Sequence, residues 1–284
     1  MTAHCGKCVR SRVLVIIAAF LLTACGAWTR VVYEQAETLL TFTANDYLAL
    51  SNAQRSLLKQ RFTAFQQWHR HDELPQLARL ADDAGARVKR GLSPADVTWA
   101  NNELRSVYAR LVTRGVEDAL PVVVTLDEQN LGALARKFDR STAKLEHEYL
   151  KGDPRETQNR RIRAVEKPLR DWLGSVTDPQ RALIRDYAEG SPQFGQQRFD
   201  ARRTRQAALI TTLRSRTSHA ELRSRLQHYF SEDSLTTINL SEAGVRDFIL
   251  AIDRTMTVPQ RAHLAAKLHG FSVDFRHLGQ GPSG

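Results

Sequence analysis

Apolar residues recur every three or four positions along most of the chain, and this spacing constrains the fold more than any other feature. It places apolar side chains on one face of an α-helix, which must pack against a partner surface. Period-two alternation is not sustained, and the β-branched run in residues 121–124, Pro-Val-Val-Val, is too short to carry a sheet. The sequence therefore predicts an all-α protein, a bundle of roughly ten amphipathic helices. The clearest stripes are Leu58, Phe62, Phe65, Trp68; Leu104, Val107, Leu111; Ile162, Val165, Leu169, Trp172, Val176; Val245, Phe248, Ile252, Met256; and Leu264, Leu268, Phe271.

Glycine and proline residues mark the predicted ends of these helices. No long Gly/Ser-rich or Pro-rich linker divides the chain, and the segment 151–154 comes closest to a domain boundary. Breaks are predicted at residues 74–75, 91–94, 115–121, 152–154, 177–179, 190–192 and 257–259.

The N-terminus has the layout of a signal peptide. Lys7, Arg10 and Arg12 form a basic start, and ten apolar residues, 13–22, follow. Ten residues at about 1.5 Å each cannot cross a hydrocarbon core of about 30 Å, so no permanent transmembrane helix is expected here.

The next residues, Leu22-Thr23-Ala24-Cys25, resemble the lipobox of bacterial lipoproteins. The resemblance implies cleavage after Ala24, a diacylglyceryl thioether on Cys25 and an acyl chain, such as palmitate, on the new amine. Gly26 follows where an Asp would favour the inner membrane, so the resemblance favours the outer membrane, facing the periplasm. An ordinary secretory signal with an incidental cysteine is the alternative. The predicted organisation is a signal peptide (1–24), a helical periplasmic domain (25–278) and a flexible tail (279–284).

Charge and cysteine content depend on this processing. The leader carries three basic residues and no acid, so its removal lowers the formal net charge from +10 to +7. In a periplasm the anions available to such a protein are lipid headgroups, cell-wall carboxylates and acidic proteins. Cys5 and Cys8 leave with the leader and Cys25 carries lipid, so no disulfide is predicted.

Four helix starts share a Ser or Thr followed three residues later by Gln or Glu, at residues 51–54, 125–128, 177–180 and 257–260. This spacing is the capping box of a helix N-terminus. Ser/Thr-x-x-Gln followed by leucine also resembles the Leu-Thr-x-x-Gln motif of Spy/CpxP-type periplasmic chaperones, which implies a chaperone-like role. Capping alone also accounts for the spacing, so both explanations stay open.

Residues 68–75, Trp-His-Arg-His-Asp-Glu-Leu-Pro, are the strongest candidate for chemistry. His69 and Glu73 would share a face of a continuous helix and could form half of a metal site, with further ligands from residues 146–148. Pro75 indicates that the helix is already ending near Glu73. The other interpretation is a polar helix end whose histidine and glutamate hydrogen-bond between helices.

Residues 68–75 are also part of a resemblance to a protein family, and this resemblance covers most of the mature chain. It implies an anchored helical periplasmic protein and carries over no catalytic residue. Trp68, His69, Arg70 and Glu73 form the candidate functional cluster. The chain is similar to a family of uncharacterised proteobacterial lipoproteins in its lipobox, Asp46-Tyr47-Leu48, Gln54, Trp68-His69-Arg70 and Glu73-Leu74-Pro75.

Arginines are concentrated between residues 198 and 225. Since arginine pairs well with phosphate and carboxylate, contact with anionic lipid or cell wall through Arg202, Arg205, Arg216 and Arg223 is one interpretation. A solvated face with internal ion pairs is the other. No Phe, Trp or Tyr lies between Arg202 and Arg225, so nucleic-acid binding by base stacking is not predicted. The full stripe is Arg198, Arg202, Arg203, Arg205, Arg214, Arg216, Arg223 and Arg225.

The motifs of common hydrolases, phosphate-binding loops, zinc peptidases and dinucleotide-binding folds do not occur in the sequence. The sequence therefore favours a non-enzymatic envelope protein that binds other envelope proteins, without a cofactor and possessing no assigned catalytic or metal-ligating residue. A metal-dependent envelope enzyme built on His69 and Glu73 is the alternative.

Overall fold

The computed structural model describes residues 32–190, 195–215, 217–237, 239–240 and 242–280, and these residues form no strand. Eleven α-helices occur in this part of the chain, which confirms the predicted all-α multi-helix fold. The signal peptide, Cys25 and residues 281–284 lie outside it, so the predicted domain limits stay predictions. The helices are α1 (Ala36–Leu48), α2 (Asn52–Trp68), α3 (Leu74–Arg90), α4 (Pro94–Val123), α5 (Glu128–Glu146), α6 (Pro154–Leu173), α7 (Asp178–Gly190), α8 (Gln196–Arg214), α9 (His219–Thr237), α10 (Ala243–Arg254) and α11 (Val258–Gly279).

The largest core cluster joins the third helix to the last. Along α3, Leu74, Leu77, Ala78 and Ala81 are buried at helical spacing and form one apolar face. This face packs against α11 and the adjoining part of α4. The buried residues contributed by the other segments are Tyr33, Val107, Leu111, Phe271, Phe275 and Leu278.

Two smaller clusters also lie in the described core. One lies between α6, α7 and α8 around the fully buried Ile184, with Val165 and Phe199 against it. The other joins α4 to α9 through Leu120 and Leu226. The first helix, α1, packs on α2 and α5, while α8 packs on α5 and α9.

The predicted break at residues 115–121 is wrong. Helix α4 is continuous from Pro94 to Val123 and contains Pro121. A proline inside a helix removes one backbone hydrogen bond. Here Val116 and Leu120 bury an apolar face against α9, and this packing holds the helix together past Gly115.

The predicted break at residues 74–75 is a change of helix type, and the helix does not end there. Residues His69–Glu73 form a π-helical segment between α2 and α3, and the Leu74 N–H donates to the His69 carbonyl. Pro75 falls in the first turn of α3, and because the backbone stays helical through the π segment, its missing N–H removes one backbone hydrogen bond from the continuous helix. A second π segment, His147–Lys151, follows α5.

Candidate functional site

The π segment places the predicted cluster where α2 meets α3. The Tyr33 hydroxyl lies 3.1 Å from His69 Nδ1. Burial, with a further contribution from the charge of Arg70, lowers the pKa of His69 to about 4. Burial likewise raises the pKa of Tyr33 to about 12. At neutral pH both groups are therefore uncharged, and the imidazole can accept a hydrogen bond from the phenol.

Arg70 and Trp68 lie around this pair. The Arg70 guanidinium carbon is 5.0 Å from the centre of the Tyr33 ring, a cation–π contact. The Trp68 ring packs on Phe65 at 5.5 Å between centroids, and the Arg114 guanidinium lies 5.8 Å from its centre. Both side chains thus pack on aromatic neighbours.

Glu73 is fully buried and held by one arginine of α4. Arg110 donates from Nε and from Nη2 to the two carboxylate oxygens, each at 2.8 Å. The hydrogen bonds to Glu73 raise the pKa of Arg110. This bidentate pair fixes the π segment against α4, because removing the half-exposed Arg110 would leave the buried charge of Glu73 uncompensated.

The structure thus gives His69 and Glu73 different partners. Both make hydrogen bonds to distant segments, as the interpretation of a polar helix end expected. A metal at Glu73 would have to displace the bidentate arginine, and no group of three or more His, Cys, Asp or Glu side chains within the described ranges is arranged to hold a metal ion.

In the part of the chain that the structure describes, four of the eight arginines in the stripe form ion pairs with carboxylates. Arg203 pairs with Glu146 at 2.5 Å, and the hydrogen bond between them lowers the pKa of the glutamate. Arg223 Nε lies 3.0 Å from Glu117. Similar pairs join Arg214 to Glu128 at 3.1 Å and Arg225 to Glu221 at 2.5 Å. These contacts match the interpretation of a charged face with internal ion pairs.

Two of the four arginines proposed for anion contact are placed differently. Arg202 points into the junction of α8 with α5, where Nε donates to Thr142 Oγ1 at 3.0 Å and Nη2 to Ser141 Oγ at 3.5 Å. The Arg205 guanidinium lies 5.5 Å from the centre of the Tyr229 ring. Arg216 lies outside the described residues.

The helix starts at residues 51–54 and 257–260 are complete capping boxes. The Ser51 and Thr257 hydroxyls accept from the third helical N–H, and the side chains of Gln54 and Gln260 accept from the cap N–H. At Thr177 the cap N–H also donates to Gln180 Oε1, at 2.9 Å. The predicted start at 125–128 is wrong by two residues. Asp127 is the N-cap of α5, and the side chain of Asn130 accepts from the Asp127 N–H. Asp is as good a cap as Ser or Thr, so the Asp127 start was available in the sequence.

These caps meet in pairs across the molecule. In the C-terminal amide pair, Gln180 Nε2 donates to Gln260 Oε1 at 3.0 Å, and Gln260 Nε2 donates back at 2.9 Å. Each amide also donates to the backbone two residues before the opposite cap, at Thr255 (3.2 Å) and Ser175 (3.0 Å). With the bond from its own cap, each amide uses two donors and two acceptors, its full capacity.

The N-terminal amide pair repeats the arrangement. Gln54 Nε2 donates to Asn130 Oδ1 at 2.9 Å and to the Thr125 carbonyl at 2.8 Å. Asn130 Nδ2 donates in return to the carbonyls of Leu48 and Ala49, at 2.9 and 3.3 Å. Three of the predicted helix starts, together with the Asp127 start that replaces the fourth, therefore build two buried junctions between helix starts.

Comparison with known proteins identifies the family to which this chain is similar. The model of a family of unknown function, DUF6279, matches residues 46–235. This segment includes Gln54, Asn130 and Gln180, whereas Gln260 lies beyond it. No curated protein and no solved structure matches the chain. None of the described helices has the length and apolar character needed to cross a membrane.

Proposed function

The chain belongs to the DUF6279 family of unknown function, and we propose that it is a lipid-anchored periplasmic protein that binds other envelope proteins as a chaperone does. The anchor is the lipid on Cys25, in the resemblance of residues 22–25 to a lipobox. Several acyl chains at about 0.8 kcal/mol per buried CH₂ hold a protein stably on a bilayer. The proposed position is the periplasmic face of the outer membrane.

The observation that carries the chaperone-like role is the use of the Ser/Thr-x-x-Gln starts. A capping box is served by Glu as well as by Gln. In both amide pairs the glutamine also donates across to a second helix start, which a carboxylate cannot do. The motif is therefore more specific than a cap, and Spy/CpxP chaperones are the proteins that it resembles.

An exposed apolar surface on α1 supports the same role. Leu39 is 41% exposed and Phe42 is 67% exposed, and their spacing of three places them on one side of the helix. The opposite side packs on α2 and α5. Exposed apolar side chains of this kind can contact the apolar segments that an unfolding protein presents.

Light scattering from aggregating reduced lysozyme tests this role. The protein beginning at Gly26, added near equimolar ratio without a cofactor, should suppress the scattering, and Phe42→Ser should lose much of that effect. Val258→Ser is the matched control, because Val258 is 84% exposed at the start of α11. Absent suppression, or equal loss in both variants, would contradict the proposal. Stoichiometric zinc that is lost in His69→Ala would support the metal-dependent alternative instead.

The anchor has its own test. The full chain expressed in a Gram-negative host should incorporate labelled palmitate and fractionate with the outer membrane. Cys25→Ser should abolish labelling, whereas Cys8→Ser, in the predicted leader, should leave it unchanged. Labelling that survives Cys25→Ser would refute the lipid attachment without affecting the chaperone-like role.

A further inference from the structure

Arg202 differs from its neighbours in the arginine stripe by what it contacts. Arg203, Arg214, Arg223 and Arg225 each lie within 3.1 Å of a carboxylate oxygen. The partners of Arg202 are two neutral hydroxyls, those of Thr142 and Ser141. Its positive charge is thus held in place by hydrogen bonds and is not balanced by any described carboxylate.

Arg202 also lies beside other positive charges, and its side chain is partly removed from water. Arg198 and Arg205 lie four residues before and three after Arg202, on the same face of α8. Burial lowers the pKa of Arg202, and the charges of the two neighbouring arginines lower it further. A guanidinium in this setting gains more from an added anion than an exposed and paired one does.

The hydroxyls also fix the direction of the guanidinium. Thr142 is almost fully buried, and its hydroxyl lies 3.1 Å from Gln206 Oε1, one turn further along α8. Thr142 therefore accepts from Arg202 and donates to Gln206. With Nε and Nη2 engaged on α5, Nη1 has no described protein partner, and its donors are available to a ligand.

We propose that Arg202, with Arg198 and Arg205 beside it, forms a binding site for a phosphate group at the junction of α8 and α5. The planar guanidinium offers a fork of donors that matches two phosphate oxygens, and the flanking arginines supply the remaining charge. The phosphate can belong to a phospholipid headgroup or be free in solution, since the same donors recognise both. The site does not depend on the proposed chaperone-like role.

Calorimetric titration of the full chain in a non-ionic detergent tests this site. The two probes are inorganic phosphate and dihexanoyl-phosphatidylglycerol below its micelle concentration, each at an ionic strength matched with chloride. Arg202→Gln should weaken binding at least tenfold. Arg214→Gln is the matched control, because it removes the same charge from the same helix at an exposed ion pair and should leave binding within twofold.

The two probes separate the sources of the phosphate. Binding of both probes indicates that the site recognises a phosphate group free in solution, and binding of the lipid alone indicates that it recognises a lipid headgroup. Either result supports the proposal if the binding is lost in Arg202→Gln. Binding of neither probe, or equal weakening in Arg214→Gln, overturns it. If Arg202→Gln does not fold, Arg198→Gln, at an exposed position, should still weaken binding several-fold, and unchanged binding there overturns the proposal as well.

Discussion

The C-terminal amide pair and the N-terminal amide pair join helix starts by the same bonds to cap and backbone, but their amides meet differently. Gln180 and Gln260 donate to each other, so two hydrogen bonds join the side chains. Gln54 donates to Asn130, whose own donors turn to the carbonyls at the end of α1. One hydrogen bond therefore joins the side chains of Gln54 and the shorter Asn130, whereas two join Gln180 and Gln260.

The comparison shows which hydrogen bonds the two junctions share. The bond from the cap N–H, which follows from the capping geometry, and the bond to the opposite backbone, which depends on tertiary packing, occur in both pairs. The second mutual bond occurs only where both residues are glutamine. The C-terminal pair is also more deeply buried, with Gln260 1% exposed against 7% for Gln54. We therefore expect it to tolerate substitution less well.

The largest expected effect is that of Gln260→Glu. The carboxylate cannot donate, so oxygen would face oxygen at Gln180 and at Ser175. Together with the burial of an unpaired charge this should lower the free energy of unfolding by about 3 kcal/mol at pH 7. Gln54→Glu should lower it by about 2 kcal/mol, because more of that side chain reaches water. Urea unfolding followed by circular dichroism measures both.

The pH dependence of this loss identifies its cause. Burial would raise the pKa of the introduced carboxyl above its ordinary value of about 4.3. The folded state then binds a proton before the unfolded state does, so the loss relative to the unaltered protein should shrink as the pH falls from 7 toward 4. Gln67→Glu, on the exposed side of α2, is the control and should change stability by less than about 0.5 kcal/mol. Equal losses at positions 67 and 260 would contradict the account.

Acid should distinguish the His69 cluster from both amide pairs, since amides do not titrate. The pKa of His69 is about 4 in the folded protein and about 6.5 when unfolded, so the unfolded state binds more protons between these values. Stability should therefore fall by about 2 kcal/mol between pH 7 and pH 5. His69→Gln should flatten this part of the stability profile. An unchanged slope in that variant would assign the acid sensitivity to another group.

Substitutions at the helix ends that precede the two amide pairs should change the stability of the protein in opposite directions. Gly174 has φ +79°, and a Cβ there would lie 3.2 Å from the His263 ring. Gly174→Ala should therefore destabilise by about 2 kcal/mol. Ala49 holds φ 50° without being glycine, so Ala49→Gly should stabilise by about 0.5 kcal/mol. Thermal unfolding measures both; Gly270→Ala, with open space around it in α11, is the control and should stabilise slightly.

The sequence predicts the helices well because their signals are local. The stripe at Ile162 and Val165 and the caps at Ser51 and Thr257 involve residues within one or two turns of each other. The same locality explains the missed cap: Asp127-x-x-Asn130 is readable in the sequence once Asp and Asn are counted as capping residues.

The partners of these residues could not be predicted in the same way. Gln54 and Asn130 are 76 positions apart, and Gln180 and Gln260 are 80 apart, so no spacing rule connects them. Glu73 finds Arg110 on another helix, where any of several arginines would have been an equal guess from sequence. The π segment is equally hidden, since its residues have no distinct apolar period.

A double-mutant cycle at Gln180 and Gln260 tests most directly whether these glutamines act as a pair or as two separate caps. Gln180→Ala and Gln260→Ala, alone and together, are compared by their free energies of unfolding in urea. The account predicts that the double variant loses at least about 1 kcal/mol less than the two single losses added, because each single change leaves the other amide buried without its partner. Losses that add to within about 0.5 kcal/mol would contradict it and return the two glutamines to ordinary helix caps.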